Sequence, residues 1–170
     1  MTALMVCLVT IATFFIRIPV PMTQGYVHLG DSMIFLSVLV LGKKNGAMAA
    51  GLGSAMADLF GGYVHWLPWT LVIKFIMALI MGVFLENMEK KGKARTNGAV
   101  TVVQVMGMTL AGLWMVVGYY IASGIIYGNW VAPLLSVPWN IGQFAVGMAI
   151  ALAISEALYR TPAKKYFEIK

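Results

Sequence analysis

The fold of this chain is decided by residues 46–74, which read GAMAAGLGSAMADLFGGYVHWLPWTLVIK. The stretch opens as an apolar run rich in alanine and glycine, and such small side chains let helices approach closely inside a bilayer. Asp58 interrupts this run, and a turn with two glycines and several aromatic residues separates it from a second apolar run. That second run contains Lys74 about two helical turns from its start. We therefore predict two membrane helices joined by a polar, aromatic turn.

The composition extends this prediction to the whole chain. Of its 170 residues, 61% are hydrophobic and 11% are charged, whereas soluble domains have about 45–50% and about 25%. A transmembrane helix takes about 20 residues, so we predict an all-α integral membrane protein with one six-helix transmembrane domain over residues 1–170. The predicted helices cover residues 1–18, 29–42, 45–60, 68–86, 99–127 and 137–160.

The net charge of +6 is interpreted as a topology signal and not as a nucleic-acid footprint. Ten of the twelve Lys and Arg residues lie in gaps or tails between apolar segments. With six crossings these gaps fall on one side, which the positive-inside rule assigns to the cytoplasm together with both termini. The outer half then holds Arg17, Asp31, Asp58, Lys74 and both histidines. We expect the functional site in this half.

Lys74 is the strongest single signal. An ammonium within a transmembrane helix is usually paired or faces a polar cavity, although lysine can also extend to the membrane surface. Asp58 lies at the end of the third helix, where the helix dipole disfavours an anion, so it needs a cationic partner. Lys74 and Arg17 are the candidates. Asp31, in Gly-Asp-Ser ahead of an apolar run, is predicted to be an N-cap, with direct contact to a ligand as the alternative.

The sixth segment places two amide side chains near its start. Asn140 and Gln143 share one helix face, as do Trp139 and Gln143. Amides in an apolar helix need hydrogen-bond partners, which either a neighbouring helix or a bound polar ligand would supply. Tyr119 in the fifth segment and Tyr63 in the outer turn add aromatic surface, although aromatic belts are also normal at membrane boundaries.

Missing motifs narrow the function. The chain has no GxxxxGK[ST] phosphate-binding loop, no HExxH and no Cys/His cluster with metal spacing. A catalytic base would have to come from His28 or His65. We therefore expect a binding protein with no catalytic residues and no metal. An intramembrane enzyme using His28 or His65 with Asp58, and a structural subunit that mediates assembly, are the alternatives.

Residues 26–82 resemble the substrate-binding S component of energy-coupling factor (ECF) vitamin transporters. In that family Leu-Gly-Asp starts the second helix, the third is rich in Gly and Ala, and an Ala-Asp-x-x-Gly-Gly turn follows. Leu29-Gly30-Asp31 and residues 57–62, ADLFGG, match these features.

The resemblance implies a multi-pass protein of the bacterial cell membrane that captures a vitamin from outside. It would dock on a T-component membrane subunit and two ABC-type ATPase subunits. ATP would be used by those partners, so no cofactor is expected in this chain. The family's docking patch, Ala-x-x-x-Ala on the first helix, has its counterpart here in Ala3 and Cys7.

The resemblance also implies where the substrate binds, namely the first outer loop and the outer parts of helices four to six. The predicted substrate-binding residues, including two from the outer turn, are His28, Asp58, Tyr63, His65, Lys74, Tyr119, Trp139, Asn140 and Gln143. Aromatic stacking with amide and imidazole hydrogen bonds suits a flat neutral heteroaromatic ring. The overall similarity points to hydroxymethylpyrimidine or pyridoxine, with riboflavin and pantothenate left open.

Overall fold

The structure, a computed structural model, describes residues 1–19, 26–91 and 101–162. These residues form five α-helices and one short strand pair. In chain order the elements are α1 (Thr2–Phe15), β1 (Arg17–Pro19), β2 (Tyr26–His28), α2 (Gly30–Phe60), α3 (Leu67–Lys90), α4 (Val102–Tyr127), a 3-10 helix (Ala132–Ser136) and α5 (Val137–Tyr159). Residue 99, where the fifth helix was predicted to start, lies outside the described residues, as do Lys93, Arg95 and the tail from residue 163.

Helix α2 folds back on itself at Gly42. This residue has φ 73° and ψ −178°, a backbone conformation that is essentially restricted to glycine. The Ser37 hydroxyl donates to the Gly46 carbonyl across the bend at 3.3 Å, whereas nine residues of straight helix would span about 13 Å. The two halves of α2 therefore lie side by side, at the point where the sequence predicted a break between residues 42 and 45.

Helix α2 forms the centre of the molecule, and α1, α3 and α5 all pack against it. In its second half Ala47, Ala49 and Ala50 are fully buried, whereas Met48 and Leu52 are exposed. The small side chains thus face the neighbouring helices and the larger ones face outward. The predicted close packing of this helix is confirmed.

The outside of the helix bundle is apolar. Among the described residues, four helices, including α2 in full length, are long and apolar enough to cross a membrane, and α1 is a shorter apolar helix. Large apolar side chains such as Leu4, Ile11, Leu113 and Val146 are exposed on the bundle surface. Lipid contact explains such a surface, and the architecture is that of an all-α membrane protein.

The start of the chain differs from the prediction at two points. Helix α1 ends at Phe15 and not at residue 18, because Arg17–Pro19 pair antiparallel with Tyr26–His28, with Arg17 opposite His28. Asp31 is not an N-cap. The cap position of α2 is Leu29, without a side-chain hydrogen bond, and Asp31 lies in the first turn. Its carboxylate points instead into the protein.

Candidate functional site

A buried ion pair joins α2 to α3. The Lys74 ammonium contacts the Asp31 carboxylate through Oδ1, and both side chains are 0% exposed. Lys74 lies seven residues after the start of α3, about 10 Å along the helix, and Asp31 lies in the first turn of α2. Removing either partner of a buried pair typically costs about 3–5 kcal/mol, because the other charge is left without compensation.

Gln143 of α5 connects this ion pair to the strand pair. Its side-chain amide nitrogen donates to Asp31 Oδ2 at 2.8 Å, and its amide oxygen accepts from the backbone N–H of His28 at 3.0 Å. Gln143 lies six residues after the start of α5, at nearly the same depth as Lys74. Strand β2, α2, α3 and α5 therefore meet at one cluster of polar side chains.

Helix α4 closes the cluster with a sulfur and an aromatic ring. Met115 Sδ accepts from the Lys74 ammonium at 2.9 Å and from the Gln143 amide at 3.5 Å. The Tyr119 ring centroid lies 5.4 Å from Lys74 Nζ, within cation–π range. The Tyr119 hydroxyl and the Thr70 hydroxyl are 3.4 Å apart. Each of the three N–H donors of Lys74 thus has an electron-rich neighbour.

An aromatic group continues from Tyr119 toward the end of the bundle where α3 begins. The ring of the buried Trp66 lies 5.8 Å from that of Tyr119 and 6.2 Å from that of Tyr127. The cluster therefore combines hydrogen-bonding groups with aromatic surface at the end where α3 and α5 begin and α4 ends.

His28 is buried and neutral. Burial, followed by the nearby Lys74 cation, lowers its pKa from 6.5 to about 3, and Arg17 acts in the same direction while Asp31 opposes them. Its Nδ1 accepts from the backbone N–H of Gly30 at 3.0 Å, so the ring proton lies on Nε2. A Cβ at position 30 would lie 2.8 Å from this Nδ1 and still closer to Thr13 Oγ1, so the glycine leaves room for the contact. With His28 neutral and Asp31 paired with Lys74, the cluster carries no net charge.

Of the residues predicted to bind substrate, the structure brings four together: His28, Lys74, Tyr119 and Gln143. The others lie elsewhere. His65 is exposed, with its ring 6.1 Å from Trp66, and Trp139 is 43% exposed. Asn140 is half-buried, one turn before Gln143 on α5. Ala3 and Cys7 are exposed on α1.

The predicted pairing of Lys74 with Asp58 is wrong, as is the alternative in which Lys74 reaches the membrane surface. The partner of Lys74 is Asp31. Asp58 is buried near the end of α2, where the Arg17 guanidinium packs against Gly61. The same guanidinium lies 5.9 Å from the ring centroid of the half-buried Tyr63. Asp58, Tyr63 and Arg17 thus belong to a neighbouring region at the C-terminal end of α2.

Sequence reasoning missed Asp31, Met115 and Thr70 as members of the cluster. The available signal for Asp31 was its position as an acidic residue beside a long apolar run. We interpreted that position as a helix N-cap and not as part of the cluster. Nothing distinguishes Met115 from the other methionines of this chain before α4 is packed against α3. Among the described residues, no group of three or more His, Cys, Asp or Glu side chains is placed to hold a metal ion.

Comparison with known proteins identifies the family. A family model described as ECF-type riboflavin transporter, S component, matches residues 1–160. The chain belongs to this S-component family. The chain is also similar to two other proteins. An uncharacterized protein of Pyrococcus woesei is 38% identical over 120 residues, which are 71% of this chain and 74% of the relative. The thiamine precursor transporter HmpT of Lactococcus lactis subsp. cremoris is 27% identical over 144 residues, 84% of this chain and 76% of the relative.

The S component is therefore a multi-pass protein of the cell membrane and the substrate-binding part of an importer, not an enzyme. This agrees with the expectation from its sequence. It also gives the buried cluster a context, because ionisable residues inside a membrane protein usually mark the path or the binding site of its substrate.

Proposed function

We propose that this S component captures the pyrimidine precursor of thiamine, hydroxymethylpyrimidine, from outside the cell. The observation that carries the proposal is the electroneutral polar cluster of Asp31, Lys74, Gln143 and His28 at one end of the bundle. The relative named as a thiamine precursor transporter supports the same substrate class.

The chemistry of the cluster suits such a ligand. An aminopyrimidine offers amino hydrogens to a carboxylate or amide oxygen and ring nitrogens to an amide N–H, and Asp31 and Gln143 supply both kinds of group. Its flat ring would stack on an aromatic side chain, and Tyr119 and Trp66 stand beside the ion pair. Pyridoxine, with a neutral ring and hydroxyl groups, is of the same class.

Riboflavin is the second candidate, because the matching family model is named for it. Its ring system is also flat and hydrogen-bonding, so the same groups would serve. Pantothenate is less well supported. Its carboxylate calls for a free cation, and the ammonium of Lys74 is already neutralised by Asp31.

We further propose that the chain crosses the membrane six times, with both termini in the cytoplasm. The two halves of α2 then cross separately, with the bend at Gly42 inside. Lys43 beside this bend pairs with Glu86 near the end of α3 at 2.5 Å, and both side chains are about one-third exposed. This pair would mark the cytoplasmic end, and the polar cluster would lie near the outer end.

A T component and two ATPase subunits are the partners expected for an S component. The exposed face of α1 that contains Ala3 and Cys7 is our proposed contact with the T component, since small side chains allow close helix contact in a membrane. ATP would be consumed by the partner subunits, so this chain needs no cofactor.

Ligand binding to the purified protein tests the substrate. Hydroxymethylpyrimidine, thiamine, pyridoxine, riboflavin and pantothenate would be titrated in calorimetry, and any co-purified ligand identified by mass spectrometry. We expect stoichiometric binding of hydroxymethylpyrimidine and no binding of pantothenate. Stronger binding of riboflavin would select the second candidate, and no binding of any compound would contradict both.

The same titration locates the ligand within the protein. Gln143→Leu should weaken binding by about tenfold or more, since a lost hydrogen bond in a closed site is worth about 1.4 kcal/mol or more. Asn140→Leu, one turn away on α5, is the matched variant. Loss of affinity there too would extend the site to Asn140, whereas full affinity of Gln143→Leu would move the site away from the cluster.

A further inference from the structure

We propose that Asp31 determines the charge of the ligand that the protein accepts. Its carboxylate is a built-in counter-ion that neutralises Lys74 and excludes anionic ligands, so that loss of this charge converts the site to one that takes carboxylates. This inference rests on the proposed binding function of the cluster and specifies its ligand class.

The geometry places the counter-ion where a ligand carboxylate would otherwise bind. Both oxygens of Asp31 are engaged, Oδ1 with the Lys74 ammonium and Oδ2 with the Gln143 amide nitrogen. A ligand carboxylate would seek these same two donors. The other direct contacts of the ammonium are Met115 Sδ and the Tyr119 ring, which carry no charge, and the Asp58 carboxylate acts on it only through its charge.

An anion in the native site would therefore lie beside the Asp31 carboxylate without a free cation. Two like charges in a desolvated site repel strongly, since Coulomb energies grow as the effective dielectric constant falls. His28 of β2 is neutral and adds no positive charge, and the Arg17 guanidinium of β1 lies in the neighbouring region beside Gly61 and Tyr63. A neutral ligand meets no such repulsion and leaves the ion pair intact.

Without the Asp31 carboxylate the charge preference of the site reverses. Lys74 remains fully buried, and its ammonium then has no carboxylate in contact, because Asp58 acts on it only through its charge. An uncompensated buried charge is strongly unfavourable, so a carboxylate ligand that supplies the missing charge gains affinity.

The test compares two ligands that share one ring. Hydroxymethylpyrimidine and the carboxylate made by oxidising its hydroxymethyl group would be titrated against wild type, Asp31→Asn and Glu86→Gln. Wild type should prefer the neutral ligand by about tenfold or more, a difference of about 1.4 kcal/mol or more. Asp31→Asn should reverse the preference. Glu86→Gln, which removes the carboxylate of the Lys43–Glu86 pair, should behave as wild type.

A wild-type preference retained in Asp31→Asn would overturn the inference. If wild type binds neither compound while Asp31→Asn binds the carboxylate, the proposed substrate fails and the counter-ion role stands. If wild type binds the neutral ligand and Asp31→Asn gains no affinity for the carboxylate, the binding function stands and the counter-ion role fails.

A second variant covers the case in which Asp31→Asn does not fold. Asp31→Ala would be purified and melted in acetate and in chloride at equal ionic strength, with wild type as the control. Acetate carries the charge that the variant lacks, so it should raise the melting temperature or the yield of monodisperse Asp31→Ala, and not of wild type. Equal behaviour of Asp31→Ala in the two salts would overturn the inference.

Discussion

A single buried ammonium determines much of the chemistry around it. Lys74 has three N–H donors, and it reaches a carboxylate, a thioether and an aromatic face on two neighbouring helices. Its burial could be predicted from sequence, because a lysine two turns inside an apolar helix is costly unless it is partnered. Its partner could not be predicted, since Asp31 and Asp58 are both acidic residues of the half that the sequence predicts to be the outer one. Only the packing of α2 on α3 selects between them.

His28 gives the first prediction at the residue scale. Its folded-state pKa of about 3 lies below its ordinary value of 6.5, so below pH 6.5 the unfolded state binds a proton that the folded state does not. Stability should therefore be lost as pH falls from 6.5 toward 3, by about 1.4 kcal/mol per pH unit. Melting temperatures between pH 7 and pH 5 would measure this.

Two variants isolate the contribution of His28. His28→Asn keeps an acceptor for the Gly30 N–H and removes the titrating ring, so it should flatten the pH dependence of the melting temperature. His65→Asn, at the exposed histidine, should leave that dependence unchanged. Equal pH dependence in wild type and His28→Asn would show that His28 is not buried neutral in solution.

The helices show what sequence patterns can and cannot predict at the level of elements. The predicted segments 68–86 and 137–160 overlap the helices Leu67–Lys90 and Val137–Tyr159, because largely apolar runs of this length have few alternatives to a helix in a membrane. The strand pair of Arg17–Pro19 and Tyr26–His28 was missed. Three-residue strands show no clear alternation, and their pairing depends on contacts made across the chain.

The bend in α2 provides the second prediction. Gly42→Ala should destabilise the protein, because a Cβ at φ 73° and ψ −178° costs about 1–3 kcal/mol. A chain of this size loses about 2–4 °C in melting temperature for each kcal/mol. The melting temperature of the purified variant would be the measurement.

Gly142→Ala serves as the matched control for the bend. Gly142 lies within α5, and a Cβ there meets no atom within 4 Å among the described residues. Alanine is favoured over glycine by up to about 1 kcal/mol in a helix interior, so this variant should melt at or above the wild-type temperature. If both variants melt alike, the backbone at Gly42 does not adopt the bend seen in the structure.

The molecule as a whole has two chemically different ends. At one end, Lys43 and Glu86 form a partly exposed pair beside the bend in α2, and most of the remaining cations of the sequence lie in gaps assigned to the same side. At the other end, a neutral cluster lies beneath the strand pair. A binding protein that takes up its substrate from one side of the membrane is consistent with this asymmetry.

This asymmetry leads to the last prediction, which concerns orientation in the membrane. The chain has one cysteine, Cys7, so Cys7→Ser provides a background without thiols. In that background Val131→Cys, at an exposed position between α4 and α5, should react with a membrane-impermeant maleimide on intact cells. Lys44→Cys, exposed beside the bend in α2, should react only after the membrane is opened, because the positive-inside rule places this cation in the cytoplasm. Labelling of position 44 but not of position 131 on intact cells would show that the orientation is the opposite one. The polar cluster would then lie on the cytoplasmic side, where it could not capture a solute from outside.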